Sequence, residues 1–140
     1  MVHSTPLHIR YSDTDQMGVV HNSVYAIYCE QGRTDLCASF GMPYHKMEED
    51  GLFMMVAEMS GRYHRAIRYG ESISIRTVVA RVKSRLIAFE YEIFEEKSGE
   101  LCYSGQTTHL FSRDRMRTCT LPEPYLSKFK RIMEECSSAL

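Results

Sequence analysis

The sequence predicts an α+β fold in which an antiparallel sheet of about five strands wraps around one long central helix. Residues 22–40 show a helical spacing of apolar side chains. After residue 52 that spacing changes to two, and short polar turns separate the alternating segments. Strands joined by short turns pair antiparallel, and a single helix with an apolar face must bury that face against them. The length of 140 residues suits one domain, predicted over residues 1–140.

A short strand and a polar loop come first. Leu7, Ile9 and Tyr11 alternate with polar residues, which predicts a half-buried strand over residues 7–12. The next segment, residues 13–18, reads Asp-Thr-Asp-Gln-Met-Gly and is typical of a turn. Asn22 and Ser23 then offer a helix N-cap.

The long helix is predicted to end at about residue 40. Apolar positions recur every three or four residues and share one face: Tyr25, Tyr28, Gly32, Leu36 and Phe40. Gly32 weakens a helix by about 1 kcal/mol relative to alanine, so we expect another element to pack closely against it. Gly41 ends the helix, and Pro43 can begin a short second helix that stops near Gly51.

The second half of the chain predicts the sheet. Alternating segments occupy residues 52–63, 73–82, 87–93 and 101–111. A short strand is predicted over residues 117–120, and residues 122–135 form the pattern of a C-terminal helix.

Composition narrows the classes of function. The net charge of −1 favours neither nucleic acid nor an anionic membrane as a partner, and no apolar run approaches the ~20 residues of a membrane span. The N-terminal residues lack the pattern of a signal peptide. The five cysteines form no Cys-x-x-Cys pair, and the histidines lack zinc-ligand spacing, so we expect free thiols, a cytoplasmic location, no metal and no cofactor. Nucleotide-binding glycine loops and serine-hydrolase elbows are also missing from the sequence.

Chemistry is predicted in the loop before the long helix. Asp15 lies on a glycine-containing loop that leads into a helix start, where backbone N–H groups lack intrahelical partners and carry partial positive charge. Such N–H groups stabilise the oxyanion that forms when an acyl carbonyl is attacked. A nearby carboxylate can attack that carbonyl or deprotonate a water molecule. Asp13 is expected to brace the loop instead.

Residues 11–25, Tyr-Ser-Asp-Thr-Asp-Gln-Met-Gly-Val-Val-His-Asn-Ser-Val-Tyr, resemble the signature of the 4-hydroxybenzoyl-CoA thioesterase-like group of hotdog-fold proteins. The later Glu30-Gln31-Gly32-Arg33 resembles the Glu-x-x-Arg of the same group, and the order of helix and strands is similar over nearly the whole chain. The resemblance implies an acyl-CoA thioesterase with the hotdog fold.

The resemblance also implies roles for individual residues. Asp15 corresponds to the catalytic carboxylate, and Asn22 to the helix start that supplies the oxyanion hole. Some relatives have a histidine at that position, whereas this chain has His21 one residue earlier, so an acid–base role does not carry over to it. Substrate contacts are expected at His21, Tyr25, Lys83, Ser84 and Arg85, the last three facing the CoA phosphates. Arg113 and Arg115 can contribute similarly.

Three alternatives remain open at this point. The thioester carrier can be an acyl-carrier protein instead of CoA, or the chain can be a non-catalytic acyl-CoA-binding protein, since a fold does not fix function. Glu30 or Glu58 can replace Asp15 as the catalytic carboxylate, as a helical carboxylate does in a second branch of hotdog thioesterases.

The resemblance further implies a homodimer, assembled into a homotetramer, with a site shared between subunits.

Overall fold

The sheet is the largest element of the chain. The computed structural model describes residues 2–136, so both ends of the predicted domain 1–140 lie outside the described residues. The strands are β1 His3–Leu7, β2 Phe53–Tyr63, β3 Ile73–Val82, β4 Leu86–Glu95, β5 Leu101–Ser112 and β6 Thr118–Cys119. The helices are α1 Tyr25–Ser39, α2 Tyr44–Glu49 and α3 Tyr125–Cys136, and two single 3₁₀ turns cover Tyr11–Asp13 and Asn22–Val24. No helix within the described residues has the length and apolar character to cross a bilayer.

The strands run in the order β1-β3-β4-β5-β2, every neighbouring pair is antiparallel, and β6 extends the pairing of β5. Two strands therefore form the edges. One edge is β1, where Pro6 is tolerated because an edge strand need not donate every N–H. The other edge is β2, whose residues 56–63 are all exposed. The α+β architecture, with a sheet curved around α1, is the one that the sequence predicts.

Helix α1 buries one face against the sheet, where it packs on β1, β3 and β4. Tyr25, Tyr28 and Leu36 on that face are at most 3% exposed. Gly32 meets β3 so closely that a Cβ atom there would lie 2.6 Å from Thr77 Oγ1. The prediction that an element packs closely against Gly32 is confirmed.

The first strand differs from its prediction. It spans His3–Leu7, not residues 7–12, and the chain leaves the sheet before Ile9. The cause is Asp13, whose carboxylate accepts hydrogen bonds from the backbone and side chain of Arg10 and so favours a 3₁₀ turn at Tyr11–Asp13. An alternation of apolar residues does not reveal this competing local contact.

The helix start also differs in detail. A 3₁₀ turn over Asn22–Val24 precedes α1, and its cap is His21, not Asn22 or Ser23. The His21 imidazole accepts a hydrogen bond from the Ser23 N–H, which is the capping role that serine or asparagine usually fills. The short helix after Pro43, the four long strands, the short sixth strand and the C-terminal helix are confirmed to within a few residues.

Candidate active site

The loop that carries Asp15 has a defined shape. A β-bridge joins Thr14 to Val20, and the N–H of Asp15 donates to the Val19 carbonyl over 2.9 Å. Asp15 Oδ1 accepts a hydrogen bond from the Met17 N–H over 2.8 Å, and Gly18 closes the turn with a φ of +76° that favours glycine. The Asp15 side chain is exposed, and its second carboxylate oxygen has no hydrogen-bond partner among residues 2–136.

Asp13 braces this loop, as predicted. Its side chain is only 2% exposed and accepts hydrogen bonds from the Arg10 N–H, the Arg10 guanidinium and the Tyr28 hydroxyl at 2.9–3.0 Å. Burial alone would raise the pKa of this carboxyl, but the three donors together outweigh it and lower the pKa. The Asp13 carboxylate therefore ties the loop to α1 through Tyr28.

The Asn22 N–H at the helix start is a backbone donor. The N–H of Ser23 donates to His21 Nδ1 over 3.2 Å, and the N–H of Val24 donates to the His21 carbonyl over 3.0 Å. The N–H of Asn22 has no acceptor within residues 2–136. Because His21 N–H donates to the Asp13 carbonyl over 2.8 Å, the two arms of the loop are tied together and bring the Asn22 N–H to the same end of the sheet as Asp15.

Three tyrosines support this helix start. The ring of Tyr25 lies 4.8 Å from that of Tyr63 and 4.9 Å from that of Tyr103, measured between centroids. Tyr25 is 3% exposed and Tyr63 is 55% exposed, so Tyr63 forms the surface and Tyr25 lies beneath it. Burial raises the pKa of Tyr25 to about 12. The contact between Tyr25 and substrate stays a prediction; in this chain the ring of Tyr63 packs against that of Tyr25.

Tyr63 itself was missed by the sequence analysis. Its hydroxyl donates to the Asn22 carbonyl over 3.1 Å, although the two residues are 41 positions apart in the chain. The alternation of β2 places Tyr63 on a sheet face but carries no signal of a partner in the loop.

The residues predicted to contact the CoA phosphates lie far from Asp15 of the same chain. Lys83, Ser84 and Arg85 form the turn between β3 and β4, whereas the loop of Asp15 pairs with Arg68 close to the start of β3. Strand β3 has 10 residues, which at 3.3 Å per residue separates the two ends by about 30 Å. One chain therefore does not bring Lys83 or Arg85 to its own Asp15.

A second basic segment adjoins that turn. The N–H of Leu121 donates to the Ser84 carbonyl over 2.7 Å, and Arg85 reaches the Thr118 carbonyl over 3.4 Å. These bonds place the loop of residues 113–117 beside the turn. We use the name basic end for the five cations of this region: Lys83, Arg85, Arg113, Arg115 and Arg117.

The two alternative carboxylates have different surroundings. Glu30 is exposed on α1 and lies 3.6 Å from the guanidinium of Arg33, which is buried and donates to the Tyr44 hydroxyl over 3.1 Å. Glu58 is exposed on β2, opposite Thr108. Asp15 differs from both, because its loop is tied by hydrogen bonds to the segment that carries the Asn22 N–H. Within the described residues, no three His, Cys, Asp or Glu side chains converge as metal ligands.

Comparison with known families gives the decisive observation. The family model of the thioesterase-like superfamily matches residues 9–129, which include the Asp15 loop, α1 and the whole sheet except β1. This chain belongs to the thioesterase-like superfamily. The family makes it a thioester hydrolase with the hotdog fold.

Individual relatives of this thioesterase agree. It is 30% identical over 104 residues to the candidate acyl-CoA thioesterase YneP of Bacillus subtilis, covering 74% of this chain and 75% of that protein. It is 24% identical to the acyl-acyl carrier protein thioesterase ATL3 of Arabidopsis thaliana, over 95% of this chain and 70% of the relative. The structure of the DHNA-CoA thioesterase of Staphylococcus aureus superposes with a TM-score of 0.89 at 26% identity, covering 99% and 97% of the two chains.

Proposed function

We propose that this thioesterase hydrolyses an acyl-CoA thioester to a free carboxylic acid and CoA, with Asp15 as the catalytic carboxylate and the Asn22 N–H as an oxyanion donor. The observation that carries the proposal is the pairing of an exposed carboxylate with an unpartnered helix N–H on the two arms of one tied loop. The names of the relatives support CoA as the carrier.

The reaction follows from these two groups. The acyl carbonyl oxygen lies at the Asn22 N–H, which polarises the carbonyl bond and stabilises the oxyanion of the tetrahedral intermediate. On one route Asp15 attacks the carbonyl carbon, CoA leaves as a thiolate, and water hydrolyses the resulting anhydride. On the other route Asp15 takes a proton from water, whose hydroxide adds to the carbonyl before CoA leaves. The thiol reference pKa of about 8.5 makes CoA a good leaving group on both routes.

The site is completed in a homodimer, according to this proposal. Strand β2 has a free edge, and exposed long edges invite pairing with another chain. Its exposed residues include Val56, Met59 and Tyr63, at 53%, 43% and 55%. Pairing β2 with β2 of a second copy buries these side chains and leaves a groove between the two α1 helices. Two such dimers can form the predicted homotetramer.

A two-fold axis through β2 also accounts for how the basic end can serve the site although it lies far from Asp15 of the same chain. Antiparallel pairing reverses the second sheet, so the partner subunit's Lys83, Ser84 and Arg85 come to the same end as Asp15. Arginine suits bidentate phosphate contacts, and the phosphates of CoA lie far from its thioester. We therefore propose that CoA bridges the subunits, with its acyl end at Asp15 and its phosphates at the partner's basic end. His21 is exposed beside Asn22 and is expected to contact CoA between these two ends.

An acyl-carrier protein is the second candidate carrier. The basic end gathers five cations, with Asp114 in the same loop and Asp50 beside Arg113, and ATL3 acts on acyl-carrier proteins according to its name. An acidic carrier would be attracted to such a surface. The same acyl group offered on CoA and on a carrier protein distinguishes the two: a preference for CoA supports the main proposal.

Complementation between subunits tests the whole arrangement. We expect Asp15→Asn homodimers and Lys83→Ala/Arg85→Ala homodimers each to hydrolyse acyl-CoA slowly. Co-folding the two variants at equal amounts yields mixed dimers that contain one site with both defects and one site with neither. A rate well above that of either parent supports the shared site, and a rate equal to the average of the parents contradicts it. A wild-type chain that is inactive on short, long and aromatic acyl-CoAs contradicts the function itself.

A further inference from the structure

We propose that Tyr63 is a positioning residue for the thioesterase reaction, in which its hydroxyl fixes the peptide group that follows the oxyanion donor. This inference rests on the proposed function. The hydroxyl donates to the Asn22 carbonyl over 3.1 Å. The N–H of the same peptide group, that of Ser23, donates to His21 Nδ1 over 3.2 Å. The Asn22–Ser23 peptide is thus held on both sides, which sets the direction of the adjoining Asn22 N–H.

Residues of β2 and β5 pack against the ring of Tyr63. Tyr63 pairs across the sheet with Tyr103, and Gly61 pairs with Gly105. The Tyr103 ring leans over both glycines: a Cβ atom on Gly105 would lie 2.7 Å from its hydroxyl, and one on Gly61 would collide with it. The ring of Tyr63 lies 5.3 Å from that of Tyr103, in addition to its contact with Tyr25.

Both glycines leave room for the Tyr103 ring, and a Cβ on Gly105 would in addition lie 2.9 Å from the Ser60 carbonyl oxygen. Glycine weakens a strand interior because it has no side chain to pack, and it marks a close approach when it is kept there. Here the close approach lets Tyr103 lie flat and support Tyr63 from below. The packing of the ring thus places the Tyr63 hydroxyl where it donates to the Asn22 carbonyl.

A positioning role makes a specific kinetic prediction. Removing an oxyanion donor lowers kcat by about 10²–10³-fold, and loosening such a donor removes part of that factor. We expect Tyr63→Phe to lower kcat by about 5- to 100-fold, with KM changed less than twofold and the same factor on every acyl-CoA substrate. The phenyl ring keeps the packing against Tyr25 and Tyr103, so the unfolding temperature stays close to that of the wild type.

Tyr69→Phe is the matched control. Tyr69 is 56% exposed at the same end of the sheet, contacts the ring of Tyr11, and has no partner for its hydroxyl among the described residues. We expect this variant to keep the wild-type kcat.

A second measurement reports on the bond without activity. Asn22 is the single asparagine of the chain, so labelling with [1-¹³C]asparagine gives one carbonyl resonance. That resonance is expected to shift in Tyr63→Phe and to stay in Tyr69→Phe.

The outcomes separate the two proposals. An active wild type with unchanged kcat in Tyr63→Phe, a rise in KM alone, or an unshifted Asn22 carbonyl overturns the role of Tyr63 only. A wild-type chain that hydrolyses no thioester overturns the proposed function, and with it the reaction that Tyr63 would serve.

Discussion

The substitution Asp13→Asn tests how the loop that carries Asp15 is held. It preserves the shape of the side chain but removes a buried charge that three donors surround. The Arg10 N–H and the Tyr28 hydroxyl would then donate to a neutral oxygen. Hydrogen bonds to charged groups contribute about 1.5–3 kcal/mol and neutral ones about 0.5–1.5 kcal/mol, so the stabilisation from each of these two bonds falls by about 1 kcal/mol. The Arg10 side chain is 58% exposed, so its guanidinium is solvated by water in the variant. Loss of the ion pair between Arg10 and Asp13 therefore adds less than about 1 kcal/mol to the destabilisation. We expect a total destabilisation of about 2–3 kcal/mol at pH 7.

The same contacts give this destabilisation a dependence on pH. The folded pKa of Asp13 is lowered, so the carboxylate stabilises the fold above its unfolded pKa of about 3.9. That contribution is lost as the pH falls through the lower, folded pKa, where Asp13 itself becomes neutral. The difference between wild type and Asp13→Asn is therefore expected to be constant from about pH 6 to pH 8 and to shrink below pH 4.

Urea unfolding at several pH values, at one protomer concentration, measures both quantities. Asp35→Asn is the matched control: Asp35 contacts His3 and Thr5 at 2.7 Å, but its side chain is 51% exposed, so we expect a loss below about 1 kcal/mol. If Asp13→Asn costs no more than Asp35→Asn, or if its cost does not change between pH 7 and pH 3, the account of the Asp13 brace is wrong.

The remaining predictions concern activity, assembly and packing. Asp15→Asn is expected to lower kcat by at least ~10²-fold with an unchanged circular dichroism spectrum. Near-normal turnover of this variant would show that Asp15 is not the catalytic carboxylate. Hydrolysis is expected to survive prolonged chelation; a loss that a divalent ion restores would indicate a metal site. Light scattering is expected to give a mass at least twice the 16.2 kDa of the chain, whereas a fully active monomer would rule out the shared site. Gly61→Ala is expected to destabilise the fold by about 1–3 kcal/mol, because the new methyl group collides with Tyr103, and unchanged stability would show that the ring moves freely.

The sequence determined the elements that local patterns encode. The helical spacing from Tyr25 to Leu36 and the alternation of the strands specified which faces are buried, because only those faces can leave water together. The weak helix former Gly32 predicted a close neighbour, and Thr77 of β3 is that neighbour. The spacing of Asp13, Asp15 and Gly18 before a helix also indicated which carboxylate is free and which one braces the loop.

Tertiary structure alone decided the contacts between distant segments. The strand predicted from Leu7 to Ser12 ended early because Asp13 attracts Arg10, and a pattern of apolar residues does not report such polar competition. The bond from Tyr63 to Asn22 exists because the end of β2 comes beside the helix start. The same topology placed Lys83 and Arg85 at the end of the sheet opposite Asp15, separated by the length of β3, about 30 Å. Periodicity gives the face on which a side chain lies, whereas the order and direction of the strands decide which end of the molecule it reaches.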